Sequence, residues 1–117
     1  MLLQLDLRYN DIGSEGAKPL ADALCVNASV TRLDVRGIGI SGDGASQLSA
    51  AVLGNTNIEV FNEIPIKEMR ADSLTELNLS GKGIGIEGGM VVAGLLFVAS
   101  SLAKVWQIRQ VLVCCAE

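Results

Sequence analysis

The sequence predicts an α/β fold, a right-handed βα solenoid with parallel strands on a concave face and helices on a convex one. Three observations lead there. Leu2, Val30 and Ile58 stand 28 residues apart, as do Leu74 and Leu102. After each full-length start the apolar residues recur first at period two and then at period four, which marks a short half-buried strand followed by an amphipathic helix. Half of the 117 residues are apolar but only 3% are aromatic, and stacked units favour aliphatic side chains of similar size because each rung must fit its neighbour.

The chain reads as one domain, 1–117, with units near 2–29 and 30–57, an irregular unit over 58–73, a full unit over 74–101 and a degenerate end over 102–117. In the first unit Leu2, Leu5 and Leu7 carry the strand, and Ile12, Gly16, Leu20 and Leu24 form one helical stripe. Ala17, Ala21 and Ala23 are small enough to let that helix lie close to the sheet. The second unit places Val30, Leu33, Val35, Ile38, Ile40, Gly44, Leu48 and Val52 at the same offsets, and the later one places Leu74, Leu77, Leu79, Lys82, Ile84, Gly88, Val92 and Leu96.

Local chemistry supports each boundary. Ser14 and Ser41 stand where a side-chain oxygen can cap exposed helix N–H groups. Pro19 is placed near the first turn, where a missing N–H costs little. Gly16, Gly44 and Gly88 read as close-packing positions. The glycine-rich residues 81–85 lack Walker spacing and follow the repeat, so no nucleotide loop is expected. Asn10 occupies the turn position that satisfies backbone groups, whereas Ile38 and Lys82 stand at the equivalent places. Those turns are expected to bend through Gly37, Gly39 and Gly83.

The run L-x-x-L-x-L-x-x-N-x-I-G-x-x-G-A-x-x-L-A-x-A-L over residues 2–24 resembles the ribonuclease-inhibitor-like class of leucine-rich repeats, and residues 2–53 and 74–105 carry the pattern. That class includes cytosolic NOD-like receptors and Ran GTPase-activating protein. The resemblance implies a curved leucine-rich repeat solenoid that grips another protein.

The irregular unit departs from the pattern. From Ile58 to Leu74 there are only 16 residues, enough for a strand start at 58–61 but not for a full helix. Pro65 and the polar stretch 67–72 predict a loop with about one helical turn. The simpler reading is a degenerate repeat that keeps the stack continuous; the sharper one is an island loop that contacts a ligand. Beyond Val105 the register is lost, and the apolar tail reads either as a cap or as a truncated end. With Met1 inside a strand, the chain reads as a fragment of a longer array.

Composition excludes several functions. Net charge is −4 with scattered Lys and Arg, so there is no electrostatic footprint for nucleic acid. The chain has no His, which removes the usual general base and the commonest metal ligand. Cys25, Cys114 and Cys115 form an odd set without CxxC spacing, so neither a disulfide framework nor a zinc site is expected, and a cytoplasmic, reducing setting fits. Cys25 is read as a buried packing residue. The start of the chain lacks a basic n-region, so no signal peptide is expected. Residues 88–103 are uncharged but too short to span a bilayer, which needs about 20 apolar residues, and are read as a buried helix and the next strand.

Function is placed on the strand residues that alternate with the ladder leucines. The expected partner-binding residues are Gln4, Asp6, Arg8, Arg32, Asp34, Arg36, Glu76, Asn78 and Trp106, with Val60, Asn62, Ser80 and Lys104 on the same face. Equal offsets put Asp6 beside Asp34 and Arg8 beside Arg36 at a strand separation of about 4.8 Å. The diagonals Asp6 to Arg36 and Arg8 to Asp34 are expected to relieve the repulsion. Trp106 and Arg36 are the expected anchors, by residue type, although Trp106 serves equally well as a cover for the last rung.

The sequence therefore predicts a protein–protein interaction module without catalysis, cofactor or metal, binding neither nucleic acid nor membrane. One alternative is a regulator of a small GTPase. Another is a structural array fragment that self-associates through uncapped apolar ends.

Overall fold

The computed structural model describes residues 3–40 and 42–96, together with the backbone of the strand at 104–106. In chain order the elements are β1 (Gln4–Asp6), α1 (Gly13–Leu24), β2 (Arg32–Asp34), α2 (Gly42–Gly54), β3 (Val60–Phe61), β4 (Ile64–Pro65), α3 (Ile66–Arg70), β5 (Glu76–Asn78), α4 (Gly85–Leu96) and β6 (Lys104–Trp106). The 28-residue interval becomes direct strand pairing. β1, β2 and β3 run parallel with Gln4 opposite Arg32, Leu5 opposite Leu33, Asp6 opposite Asp34 and Leu33 opposite Phe61. β5 and β6 form a second parallel pair with Leu77 opposite Val105.

Strand residues of one parity point inward and meet the helices. Leu33, Phe61, Leu77 and Leu79 share one apolar cluster with Ala17, Leu24, Leu48, Val52, Val92 and Leu95. α1 packs on α2, and α2 on α4. Gly44 sets the first of these contacts: a β-carbon there would lie 2.9 Å from Ser14 Cα. In α4, Gly88 has Ile84 Cβ within 2.8 Å of the equivalent point. Val91, Val92 and Leu95 bury that helix. Among the described residues no helix is long and apolar enough to cross a membrane.

The shortened unit keeps the core continuous but not the sheet, which corrects the expectation of an unbroken stack. Asn62 and Glu63 both adopt left-handed backbone angles, φ 51° and 65°, between the paired residues Phe61 and Ile64. Two left-handed central residues make a type I′ turn, whose twist matches that of a tight hairpin. β4 therefore folds back antiparallel on the edge of β3, and β5 pairs with β6 instead. Pro65 lacks an N–H, which suits a strand at a sheet edge. The expected helical turn is α3, where Ile66 and Met69 are fully buried in place of a longer helix stripe.

Three local expectations change. Ser14 lies inside α1: the helix is capped at Ile12 without a side-chain hydrogen bond, and Gly13 N–H instead donates to Ile38 O of the next unit at 2.8 Å. Pro19 lies within α1, past its first turn, on an exposed face where water can replace its missing N–H toward exposed Glu15. Ala23 is exposed because at about 100° per residue it rotates off the face that buries Ala17, Ala21 and Leu24, and Cys25 is exposed as the C-cap residue just past the end of α1. Ser41 lies outside the described residues.

The turns bend as expected. Gly37, Gly39 and Gly83 are left-handed at φ 73°, 77° and 62°; Gly81, at 72°, shares the offset of Gly37, where Tyr9 adopts φ 60°. Asn10 Nδ2 donates to Leu7 O at 3.1 Å. On the far side of each unit a second polar ladder ties helix ends together. Asn55 Nδ2 donates to Leu24 O at 2.9 Å and Asn27 O at 3.0 Å, while Arg70 donates to Val52 O and Asn55 O, each at 3.2 Å.

Candidate interaction face

Alternation along the strands sends Leu5, Leu33 and Phe61 into the core and leaves Gln4, Arg32 and Val60 in one outward row, with Asp6 and Asp34 in the next. All of these but Phe61 line a cleft of about 200 Å³, completed by Arg8 and Glu63.

The facing carboxylates are neutralised chiefly along each strand. Arg8 Nη2 meets Asp6 Oδ2 at 2.7 Å, and Arg36 Nη2 meets Asp34 Oδ2 at 2.7 Å. Residues two apart on a strand share a face, and each aspartate also accepts the backbone N–H of its arginine, at 3.1 Å and 3.2 Å. Of the two expected diagonals, Arg8 to Asp34 forms at 3.6 Å; Asp6 to Arg36 forms no ion pair, because Arg36 is committed elsewhere. The Arg8 hydrogen bonds hold the Asp6 carboxyl below its usual range. The hydrogen bond to Asp34 raises the Arg36 guanidinium, against a smaller opposing effect of burial.

Arg36 works inside the molecule. Its side chain is only 12% exposed, and it also pairs with Glu63 at 3.2 Å. Nη1 donates to Lys82 O at 2.8 Å, crossing from the first sheet to the unit that carries the second.

Asn62 is a correction: expected on the outward face, it is fully buried. The left-handed turn rotates it inward, where Oδ1 accepts Val35 N–H at 2.8 Å and Nδ2 donates to Ile84 O at 3.0 Å and Glu87 Oε1 at 3.2 Å. Glu87 is itself buried. Desolvation raises its carboxyl pKa, partly offset by hydrogen bonds from its own backbone and from Asn62. Together Arg36 and Asn62 bridge the break between the sheets with side chains where strand pairing is missing.

The predicted strip is consequently divided. Gln4, Asp6, Arg8, Arg32 and Asp34 converge on the cleft of the first sheet, whereas Glu76, Asn78 and Ser80 are exposed on the second sheet's side. Trp106 and Lys104 stand opposite Asn78 and Glu76 in the backbone register; their side chains lie outside the described residues, as do Cys114 and Cys115. Sequence reasoning missed Glu63, for which no periodic signal exists. It also missed the Asn27–Asn55 ladder, although those asparagines stand 28 residues apart. Among the described residues no cluster of three or more Cys, Asp or Glu is arranged to hold a metal ion.

A leucine-rich repeat family model matches residues 1–21, which cover β1, the turn after it and most of α1. No curated protein matches the chain. The matched segment and the mixed α/β structure with parallel strand pairing are compatible with a leucine-rich repeat type of fold.

Proposed function

We propose that this chain is a protein-interaction module of the ribonuclease-inhibitor-like class, acting in the cytoplasm without turnover, and that a partner protein lies across the strand face of the first sheet. The observation that carries the reading is the cleft that brings Gln4, Asp6, Arg8, Arg32 and Asp34 together on the outward face. An open sheet lined with long polar side chains is a surface suited to recognition.

Because Arg36 holds the fold, the test changes residues that do not. The double variant Arg32→Glu, Val60→Lys should keep the far-ultraviolet circular dichroism of the parent chain. It should also lose, by at least tenfold in quantitative affinity capture, the proteins that the parent retains. Equal recovery of every retained protein would defeat the reading.

A second reading, self-association through the β1 edge, has its own support. Leu3, Tyr9 and Val26 are 50%, 81% and 86% exposed. Leu5 and Leu7 are only half-buried, where Leu33 and Val35 at the same offsets are 2% and 0% exposed. Light scattering separates the readings: a mass of 12.2 kDa that is unchanged with concentration rules self-association out.

A further inference from the structure

We propose that Arg32 is the recognition point of the strand-face cleft, pairing with a single carboxylate side chain of the partner polypeptide that is flanked by neutral or basic residues. The inference rests on the proposed docking of a partner on that face and names the chemistry the partner must bring.

Asp6, Asp34 and Glu63 are the acids around the cleft, and two arginines satisfy all three: Arg8 holds Asp6 at 2.7 Å and reaches Asp34 at 3.6 Å, while Arg36 holds Asp34 at 2.7 Å and Glu63 at 3.2 Å. Arg32 is left over. It is exposed, and among the described residues its guanidinium has neither an ion pair nor a hydrogen bond. Its neighbours across the sheet are Gln4 and Val60, so no acid adjoins it in its own row.

A partner lying over this row removes water from Arg32. Burying an unpaired cation is strongly unfavourable, whereas a guanidinium met by a carboxylate in a bidentate pair is well compensated. A partner that covers the row must therefore supply the acid. The surroundings limit it to one: a second acid, a phosphate chain or a nucleic acid would face the carboxylates of Asp6, Asp34 and Glu63 and meet repulsion rather than a second cation. Val60, half-buried beside Arg32, favours an apolar residue next to that acid.

A displayed library of random 12-residue peptides, selected against the intact chain, tests this. The expected outcome is enrichment of peptides with one Asp or Glu and no acidic neighbour. Arg32→Gln and replacement of that acid by its amide should each weaken binding at least tenfold, and the double change should cost little more than either alone. Lys18→Gln on α1 should leave affinity unchanged. Selected peptides that lose binding with Val60→Lys but not with Arg32→Gln would overturn the role of Arg32 while keeping the strand face as a docking surface. Failure to enrich, or peptides indifferent to both changes, would overturn both.

Discussion

Arg70 donates to the carbonyls of Val52 and Asn55, the same two positions, one unit later, that Asn55 serves in Leu24 and Asn27. The shortened unit has no asparagine in register to continue that ladder. A longer side chain, reaching back from α3, takes over and adds a bond to Leu53 O at 3.0 Å. The carbonyls concerned lie at and just past the end of α2, where a cation is favoured; Val52 O and Asn55 O also accept the backbone N–H groups of Asn55 at 3.2 Å and Ile58 at 3.4 Å. Burial lowers the Arg70 pKa, so the site takes a guanidinium in spite of its desolvation.

Removing either member should therefore cost stability by the same route. Arg70→Ala and Asn55→Ala are each expected to destabilise the chain by about 1–2 kcal/mol, the scale of losing two or more side-chain hydrogen bonds to the backbone. Arg70 meets only the backbone carbonyl of Asn55, which Asn55→Ala keeps, so the double variant should lose about the sum of the two losses. Urea titrations of the four proteins check both points, and a double-variant loss far from the sum would show that the two sets of bonds are coupled.

Glu87 gives the fold a pH dependence of defined sign. Its native pKa lies above the ordinary 4.5 because burial disfavours the carboxylate. At pH values between the two, the folded chain binds the proton that the unfolded chain has released. The contribution is thus complete below 4.5 and is lost as pH rises through the native value. Glu87→Gln, which keeps an acceptor for Asn62, should melt higher than the parent at neutral pH and at the same temperature in acid. Parallel melting curves at every pH would contradict this account.

Two glycines of α2, Gly44 and Gly54, should respond oppositely to alanine. At Gly44 the new β-carbon meets backbone atoms of Ser14 at 2.9 Å and 3.1 Å, so α1 must move, at a cost of about 1–3 kcal/mol. At Gly54 it meets nothing within 4 Å, and helix propensity alone favours alanine by up to about 1 kcal/mol. Thermal unfolding of Gly44→Ala and Gly54→Ala should move in opposite directions from the parent. A neutral Gly44→Ala would mean that the two helices are not held at this separation.

What the sequence determined by itself was the repeat and its register. A shared offset within their units places Leu5, Leu33 and Leu77 in one core, and Asp6 opposite Asp34 follows from the 28-residue interval, because identical offsets in a stack become spatial neighbours. Only the tertiary structure decided where the polar side chains went. Arg36 and Asn62 carry the offsets of outward residues, yet they turn to Lys82 O and Ile84 O, and Arg70 turns to the end of α2. The reason is physical: periodicity encodes which face a residue occupies, whereas the backbone groups left without partners at the break after β4 exist only once the chain has folded around it.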